Sequence, residues 1–227
     1  MRLFLFLIPA LFSYAQSIPK GFQPLFHGDT LHGWHISEVN HHGNTKAWKV
    51  QNGVVTVTQN PPGNGGIILT DKTYKNFEIS LEVNPDFGCD GGLFLRSTEK
   101  GEAYQVMLDF LEGGNIGGIY GERLPEANKP EAGSGKKVDR EWRKYWKPDT
   151  WNHLRARIEG DAPHIQVWLN GTQIVDWHAA RNFLPNNATS GMIALQAHRS
   201  DPKGKNPRWR PEGGFHRFRN LAIKELP

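Results

Sequence analysis

Hydrophobic and polar residues alternate with a period of two along most of this chain. That is the spacing of a strand with one buried face, not the 3.6-residue repeat of an amphipathic helix. Residues 77–83 are the clearest case: Phe77, Ile79, Leu81 and Val83 face one way, and Glu78, Ser80 and Glu82 the other. Two hairpins are predicted at Asn-Gly pairs, Asn52-Gly53 within residues 48–58 and Asn170-Gly171 between 164–169 and 172–177. Both central residues of the tightest hairpin turn need positive φ, which asparagine and glycine tolerate best. Further strands are expected over 91–96, 104–110, 151–159, 191–198 and 219–224. No amphipathic stretch reaches helical length. About ten short strands joined by such turns predict an all-β sandwich or barrel. No internal repeat or linker interrupts residues 16–227, which read as a single domain.

Two segments break the pattern. Residues 123–148 are polar, rich in Lys and Pro, and carry Trp142 and Trp146; residues 200–214 are polar, with several Pro and Gly. Both exceed an ordinary β-connection, and loops of that length are usually functional lids or disorder. Trp142 and Trp146 read either as core residues or as platforms that stack on a ligand.

The N-terminus has another purpose. Met1 and Arg2 supply a positive start, residues 3–12 form an apolar run broken only by Pro9, and Ser13 and Ala15 offer a cleavage site. Residues 1–15 are therefore expected to be a signal peptide, too short for a stable membrane span. An exported protein, periplasmic or extracellular, with no membrane association after cleavage, is the expectation. Cys89 is the lone cysteine, which excludes an internal disulfide framework and a cysteine zinc site, and it reads as a sheltered, inert thiol. With 12 Phe, 8 Trp and 5 Tyr the chain has aromatic material for a packed core, so disorder is excluded. The net charge of +4 is mild. Lys136, Lys137, Arg140, Arg143, Lys144 and Lys147 gather in the first long loop. An anionic glycan suits that patch better than nucleic acid, which is not expected as a partner.

The chain has no nucleophile elbow, phosphate-binding loop, dinucleotide fingerprint or His-Glu-x-x-His motif, and no nucleotide or organic cofactor is expected. No strand carries the closely paired carboxylates that ordinary retaining glycoside hydrolysis uses. The histidines at 32, 35, 41 and 42 read mostly as loop residues. Adjacent side chains on an extended segment point to opposite faces, so at most one of His41 and His42 is expected in any one site. His198 ends a strand with Gln196 on its face, a position suited to acid–base or metal duty. Glu82, Arg96, Gln105, Asp109, Tyr120 and Glu122 lie on polar faces of neighbouring strands. If those strands lie side by side, these residues line one concave surface, as in a sugar cleft.

An ordered set of motifs resembles the 3-keto-disaccharide hydrolase domain family. The segments are GFQPLFHGDTLHGW at 21–34, WKVQNG at 48–53, GGLFLR at 91–96, YQVMLD at 104–109, GIYG at 118–121, LNG at 169–171, LQAH at 195–198 and FRN at 218–220. The resemblance covers nearly all of residues 16–227. It implies a concanavalin-like jelly-roll β-sandwich of two antiparallel sheets and an exported bacterial enzyme acting on oxidised oligosaccharides. A ketone at C3 of a sugar acidifies the C2 proton; a base removes it, the glycosidic oxygen leaves C1 by elimination, and water adds later. Such a route needs one base, an enolate stabiliser and an acid for the leaving group. Arg96, Asp109, Tyr120 and His198 match motif positions; within the enzyme reading His198 or Glu82 is the base, Asp109 binds a metal or orients His198, and a divalent metal ion would sit on Asp109 and His198. Arg96, Tyr120, Gln105, Glu122, Gln196, Trp142 and Trp146 would hold the sugar. Gln105 and Met107 stand where the motif has Glu and Gln; Gln105 can hold a hydroxyl but cannot act as a base. The rival reading is a non-catalytic carbohydrate-binding module on the same fold, and a structural domain of a surface complex would have no enclosed cleft. A catalytic site would bring Glu82, Asp109 and His198 together.

Overall fold

A computed structural model describes residues 18–27, 29–201, 203, 208–210 and 213–227. The expected signal peptide, residues 1–15, lies outside the described residues. Along the chain the strands are β1 (Gln23–Pro24), β2 (Trp34–Ile36), β3 (Lys49–Gln51), β4 (Val54–Val57), β5 (Gly66–Tyr74), β6 (Phe77–Val83), β7 (Gly91–Ser97), β8 (Ala103–Leu108), β9 (Ile116–Glu122), β10 (Gly133–Lys136), β11 (Asn152–Glu159), β12 (His164–Leu169), β13 (Thr172–Ala179), β14 (Gly191–Ala197) and β15 (His216–Glu225). Among the described residues the only helical segments are short 3₁₀ turns.

The strands form two antiparallel sheets. The larger runs β10-β13-β12-β11-β6-β15-β4-β3, with β1 also paired to β15; the smaller runs β2-β5-β14-β7-β8-β9. Their inner faces meet in one hydrophobic core. Phe77, Ile79, Leu81 and Val83 of β6 contribute from one side, and Leu93, Leu95, Tyr104, Val106 and Leu108 of β7 and β8 from the other. Each is essentially inaccessible to water, and full burial of such a side chain contributes roughly 1.5–3 kcal/mol. This two-layer arrangement is the jelly-roll sandwich expected from the motifs.

The period-two reading finds β6, both Asn-Gly hairpins and most other strands. Asn52 and Asn170 adopt φ of 51° and 48°, and Gly53 and Gly171 φ of 71° and 85°. β5 is not among the predicted strands, and its burial explains why. Gly66 to Thr70 are all buried, because Ile67 and Leu69 join Phe94, Ala103 and Ala194 in a second cluster apart from the main core. A strand covered on both faces carries no alternation to read.

The segment 123–148 is not a lid. It holds β10 and three 3₁₀ turns, and its tryptophans are structural. Trp142 is 1 % exposed. Its Nε1 donates to the Gly114 carbonyl at 3.1 Å, and its ring meets Trp146 at 6.1 Å and Phe110 at 6.4 Å. Trp146 is also buried. Neither indole can stack on a sugar, which corrects the ligand-stacking alternative. Trp142→Ala is accordingly expected to cost about 3–5 kcal/mol of stability, measured by denaturant unfolding, with no separate loss of sugar affinity in the protein that remains folded.

Arg96 is a second correction. It is 0 % exposed and adopts φ of 55°. Its guanidinium donates to the Lys75 carbonyl (2.6 Å), the Gly160 carbonyl (2.9 Å) and Asn76 Oδ1 (3.2 Å). Burial lowers its pKa to about 10. The side chain ties the β5–β6 turn to the end of β11 and does not line the cleft described below. Its neighbour in the sheet must be glycine, because a Cβ on Gly191 would lie 2.4 Å from the Arg96 carbonyl carbon.

Candidate functional site

The outward face of the smaller sheet is where the polar strand residues gather. Inward Tyr104, Val106 and Leu108 leave Gln105 and Met107 of β8 facing out, and Asp109 continues that face past the strand end. In the paired β9, Tyr120 lies opposite Gln105, and Glu122 follows two residues on. Across β7, Gln196 of β14 is in register with Gly92, which is in register with Met107. Gly92 leaves room for the Gln105 side chain: a Cβ would sit 2.5 Å from Gln105 Nε2 and push it aside. With that space open, Gln105 Nε2 donates to the Gly91 carbonyl and to Gln196 Oε1, both at 3.1 Å.

A loop over residues 37–45 closes one side. Ser37 Oγ donates to the Glu99 carbonyl at 2.7 Å and accepts from the Asn40 amide. Asn40 in turn bonds the carbonyls of Ser37 and Gly43 and accepts from the His42 amide at 2.8 Å. This fixes a turn, not an extended segment, and a turn lets consecutive side chains point the same way. The His41 and His42 rings lie 3.9 Å apart, and both approach Glu122 Oε1, at 3.1 and 3.4 Å. The expectation that at most one of the pair joins a site is therefore wrong, since it assumed an extended backbone.

The result is a cleft of about 380 Å³, within the usual range of small-molecule sites. His198, at the end of β14, lines it and lies 4.7 Å, edge-on, from the His42 ring. Asp90, just before β7, and Arg208 complete the wall; Arg208 Nη1 donates to Asp90 Oδ2 at 2.9 Å. Tyr120 is 44 % exposed and offers its ring and hydroxyl to an occupant. Gln196 lies beneath, fully buried, with Nε2 2.8 Å from His42 Nε2.

The electrostatics split the titrating groups. Burial, then the charge and hydrogen bond of Asp90, push the Asp109 carboxyl up to about 10, so it carries a proton at neutral pH. Burial alone would also raise Glu122, but the hydrogen bond from His42 and the charges of His42, His41 and His198 together outweigh it and leave the carboxyl below its ordinary range. Burial lowers His198 below the usual histidine value. Its Nδ1 donates to the Arg199 carbonyl, so the neutral ring keeps its lone pair on Nε2. Burial and the neighbouring His42 take His41 down to about 4. One cleft thus holds a protonated acid, an ionised carboxylate and neutral imidazoles, the division of labour that acid–base chemistry requires. Cys89 takes no part: it is buried and its thiol is pushed up to about 12 by that burial.

The family model for the 3-keto-alpha-glucoside-1,2-lyase-like domain matches residues 21–224. The chain belongs to this family. Among solved structures, a candidate glycosyl hydrolase from Parabacteroides distasonis ATCC 8503 is similar at TM-score 0.58 and 22 % identity, over 90 % of this chain and 99 % of that one. The alginate lyase Aly36B matches at TM-score 0.52 and 15 % identity, over 82 % and 86 % of the two chains. A β-1,3-glucanase from Mycobacterium marinum matches at TM-score 0.52 and 9 % identity, over 88 % and 94 %. These likenesses establish the shared jelly-roll fold. No curated protein matches the chain. Family and fold together make this lyase-like domain a carbohydrate-active jelly-roll protein.

Within the domain, His198, Asp109, Gln105, Tyr120 and Glu122 line the cleft, and Gln196 supports it from below. Glu82 does not belong with them. It sits on β6 of the other sheet, opposite His153 and Arg219 in register, where Arg219 Nε donates to it at 2.8 Å and Asn220 also donates. The alternation of β6 placed Glu82 on a polar face correctly, but that face belongs to the larger sheet. Glu82 cannot serve as a base beside His198. Asp109 and His198 also belong to neither group of convergent metal-ligating side chains among the described residues. In the cleft that group is His41, His42 and Glu122, whose ligand atoms lie within 4.8 Å of one another. His41 Nδ1 is in addition buried without a hydrogen-bond partner.

His41, His42, Asp90 and Arg208 went unrecognised as site residues in the sequence. Asp90 had a readable signal: an acidic residue directly before the Gly91-Gly92 opening of β7. Arg208 had none, because only the folded chain brings it to the cleft.

Proposed function

We propose that the domain cleaves glycosides oxidised to a ketone at C3, by removing the C2 proton and expelling the C1 oxygen, in an exported setting. The observation that carries this reading is the pairing of a protonated Asp109 with a neutral His198 in one cleft. His198 Nε2 takes the C2 proton, the electron pair moves into the C2–C3 enolate, and the C1–O bond breaks as the enolate re-forms its carbonyl. Asp109 donates its proton to the departing oxygen. Water then adds across the unsaturated sugar. Gln105 and Tyr120 hold hydroxyls and orient the ring over the sheet.

His41, His42 and Glu122 fit a divalent cation by donor type and convergence. When bound it would supply electrophilic stabilisation of the enolate oxygen. Glu122 is ionised and the two imidazoles stand in contact with it, so the chain itself offers an anionic, oriented donor set without rearrangement.

The alternative of a carbohydrate-binding module draws on one observation. The amide of Gln105 is locked to Gly91 and Gln196, so the position where the family motif has Glu carries no base. The test is incubation of the full chain with 3-keto-disaccharides, with and without a chelator, following release of the free sugar. Turnover is expected, with a fall on chelation. Binding of unoxidised oligosaccharides without any turnover would favour the module.

A further inference from the structure

The larger sheet carries a second convergent set of metal-ligating side chains, on the sheet opposite the cleft. His164 on β12 and His178 on β13 are register partners. Their rings stack 3.8 Å apart with planes 13° from parallel. Asp176 lies two residues before His178, on the same face of β13. Its Oδ1 is 2.6 Å from His164 Nε2 and 3.7 Å from His178 Nε2. One ligand atom from each residue lies within 4.8 Å of the other two. All three side chains are open to solvent, at 25 %, 50 % and 59 % for His164, Asp176 and His178.

Three physical points turn this cluster into a site. The stacked rings bring the Nε2 atoms of both imidazoles to Asp176 Oδ1, so three donor atoms converge on one point of the surface. Metal–ligand bonds of about 2.0–2.1 Å at tetrahedral angles put ligand atoms roughly 3.3 Å apart, so the present spacings need only side-chain rotation. The donors sit on two hydrogen-bonded strands, and a rigid backbone holds a ligand set more closely than a loop does. Two imidazoles with one carboxylate select borderline transition ions and disfavour magnesium and calcium, which take all-oxygen sets.

We propose that His164, Asp176 and His178 form a surface site for a divalent transition ion of the zinc type, fastening β12 to β13. Glu159 Oε1, 3.8 Å from His164 Nδ1, stands beside the site as a neighbouring carboxylate. The proposal does not depend on the reading of the cleft.

The experiment is calorimetric titration of the full chain with zinc alone, alongside thermal unfolding with and without zinc. Two sites are to be separated, so three proteins are compared: the native chain, His164→Ala with His178→Ala, and His41→Ala with His42→Ala. The surface site is expected to bind with a dissociation constant in the range of about 1–100 μM. It should survive in the His41/His42 variant and weaken at least about tenfold in the His164/His178 variant. Zinc should raise the melting temperature of the His41/His42 variant by mass action and leave the His164/His178 variant short of that component. Unfolding without zinc checks that the exposed substitutions leave the fold intact. Equal zinc binding by the native and His164/His178 proteins would overturn the proposal, as would no binding by the His41/His42 variant at about 1 mM zinc.

Discussion

His198→Ala is expected to lower kcat on a 3-keto-disaccharide by about 10²–10⁴, the usual worth of a positioned general base, with a smaller change in KM. The ring is at the rim of the sheet, not in the core, so the variant should fold. Burial holds His198 below the ordinary histidine pKa of 6.5. The free base therefore persists to lower pH than an exposed histidine would allow, and the acid limb of kcat/KM should fall below pH 6.5. The alkaline limb should come from Asp109 losing its proton near pH 10. In the His198→Ala protein the acid limb should disappear while the alkaline limb stays. Partial recovery with added imidazole would mark a lost base and not a lost shape.

Asp109→Asn should do two opposite things. A carboxamide cannot protonate a departing sugar oxygen, so turnover of 3-keto-disaccharides should drop by about 10²–10⁴. A 3-keto-glucoside with an activated aryl leaving group needs no such proton and should be largely spared. Stability should move the other way. The folded pKa of about 10 lies above the ordinary aspartate value of 3.8, so the group's contribution is fully present below pH 3.8 and is lost as pH rises toward the folded value. At pH 7 the native chain folds against the cost of keeping this carboxyl neutral. Asparagine removes that cost and can still hydrogen-bond Asp90, a gain of about 1–3 kcal/mol. For a chain of this length that is an increase of roughly 2–10 °C in melting temperature. The difference between variant and native should shrink as pH falls below about 4. A residue that serves only the fold would lose stability along with activity.

The alternation in residues 77–83 was sufficient to place β6 and its inward face, and the Asn-Gly pairs placed both hairpins, because backbone period and turn geometry are local properties. Which sheet a strand joins is not local. Glu82 and Asp109 each sit on a polar strand face, yet pairing order puts β6 between β11 and β15 and puts β8 between β7 and β9. That separation alone removes Glu82 from the site. Arg96 shows the same limit in another form: an arginine after an apolar run reads as a cleft residue, but its three carbonyl and amide partners come from Lys75, Asn76 and Gly160. The His41–His42 turn depends on side-chain bonds of Ser37 and Asn40 that no periodicity encodes. The cleft residues legible beforehand, His198, Asp109, Gln105, Tyr120 and Glu122, all lie on or at the ends of strands of the smaller sheet.

The two aromatic loop residues point to the same lesson. Trp142 and Trp146 sit in a polar, lysine-rich segment, where exposure is the ordinary expectation. Instead Phe110, at the end of β8, gives them a surface to pack on, at 6.4 and 5.2 Å between ring centres. The segment is thereby anchored at Phe110, the residue that follows Asp109 in the chain.

The central claim is that this cleft breaks the C2–H bond of a 3-keto-glycoside. The most direct measurement is the rate of free-sugar release from a 3-keto-disaccharide deuterated at C2, against the protiated substrate, with the native chain. Turnover is expected, with a slower rate for the deuterated sugar and loss of both turnover and C2 hydrogen exchange in His198→Ala. Saturable binding of the keto-sugar with neither product release nor exchange at C2 would contradict the claim.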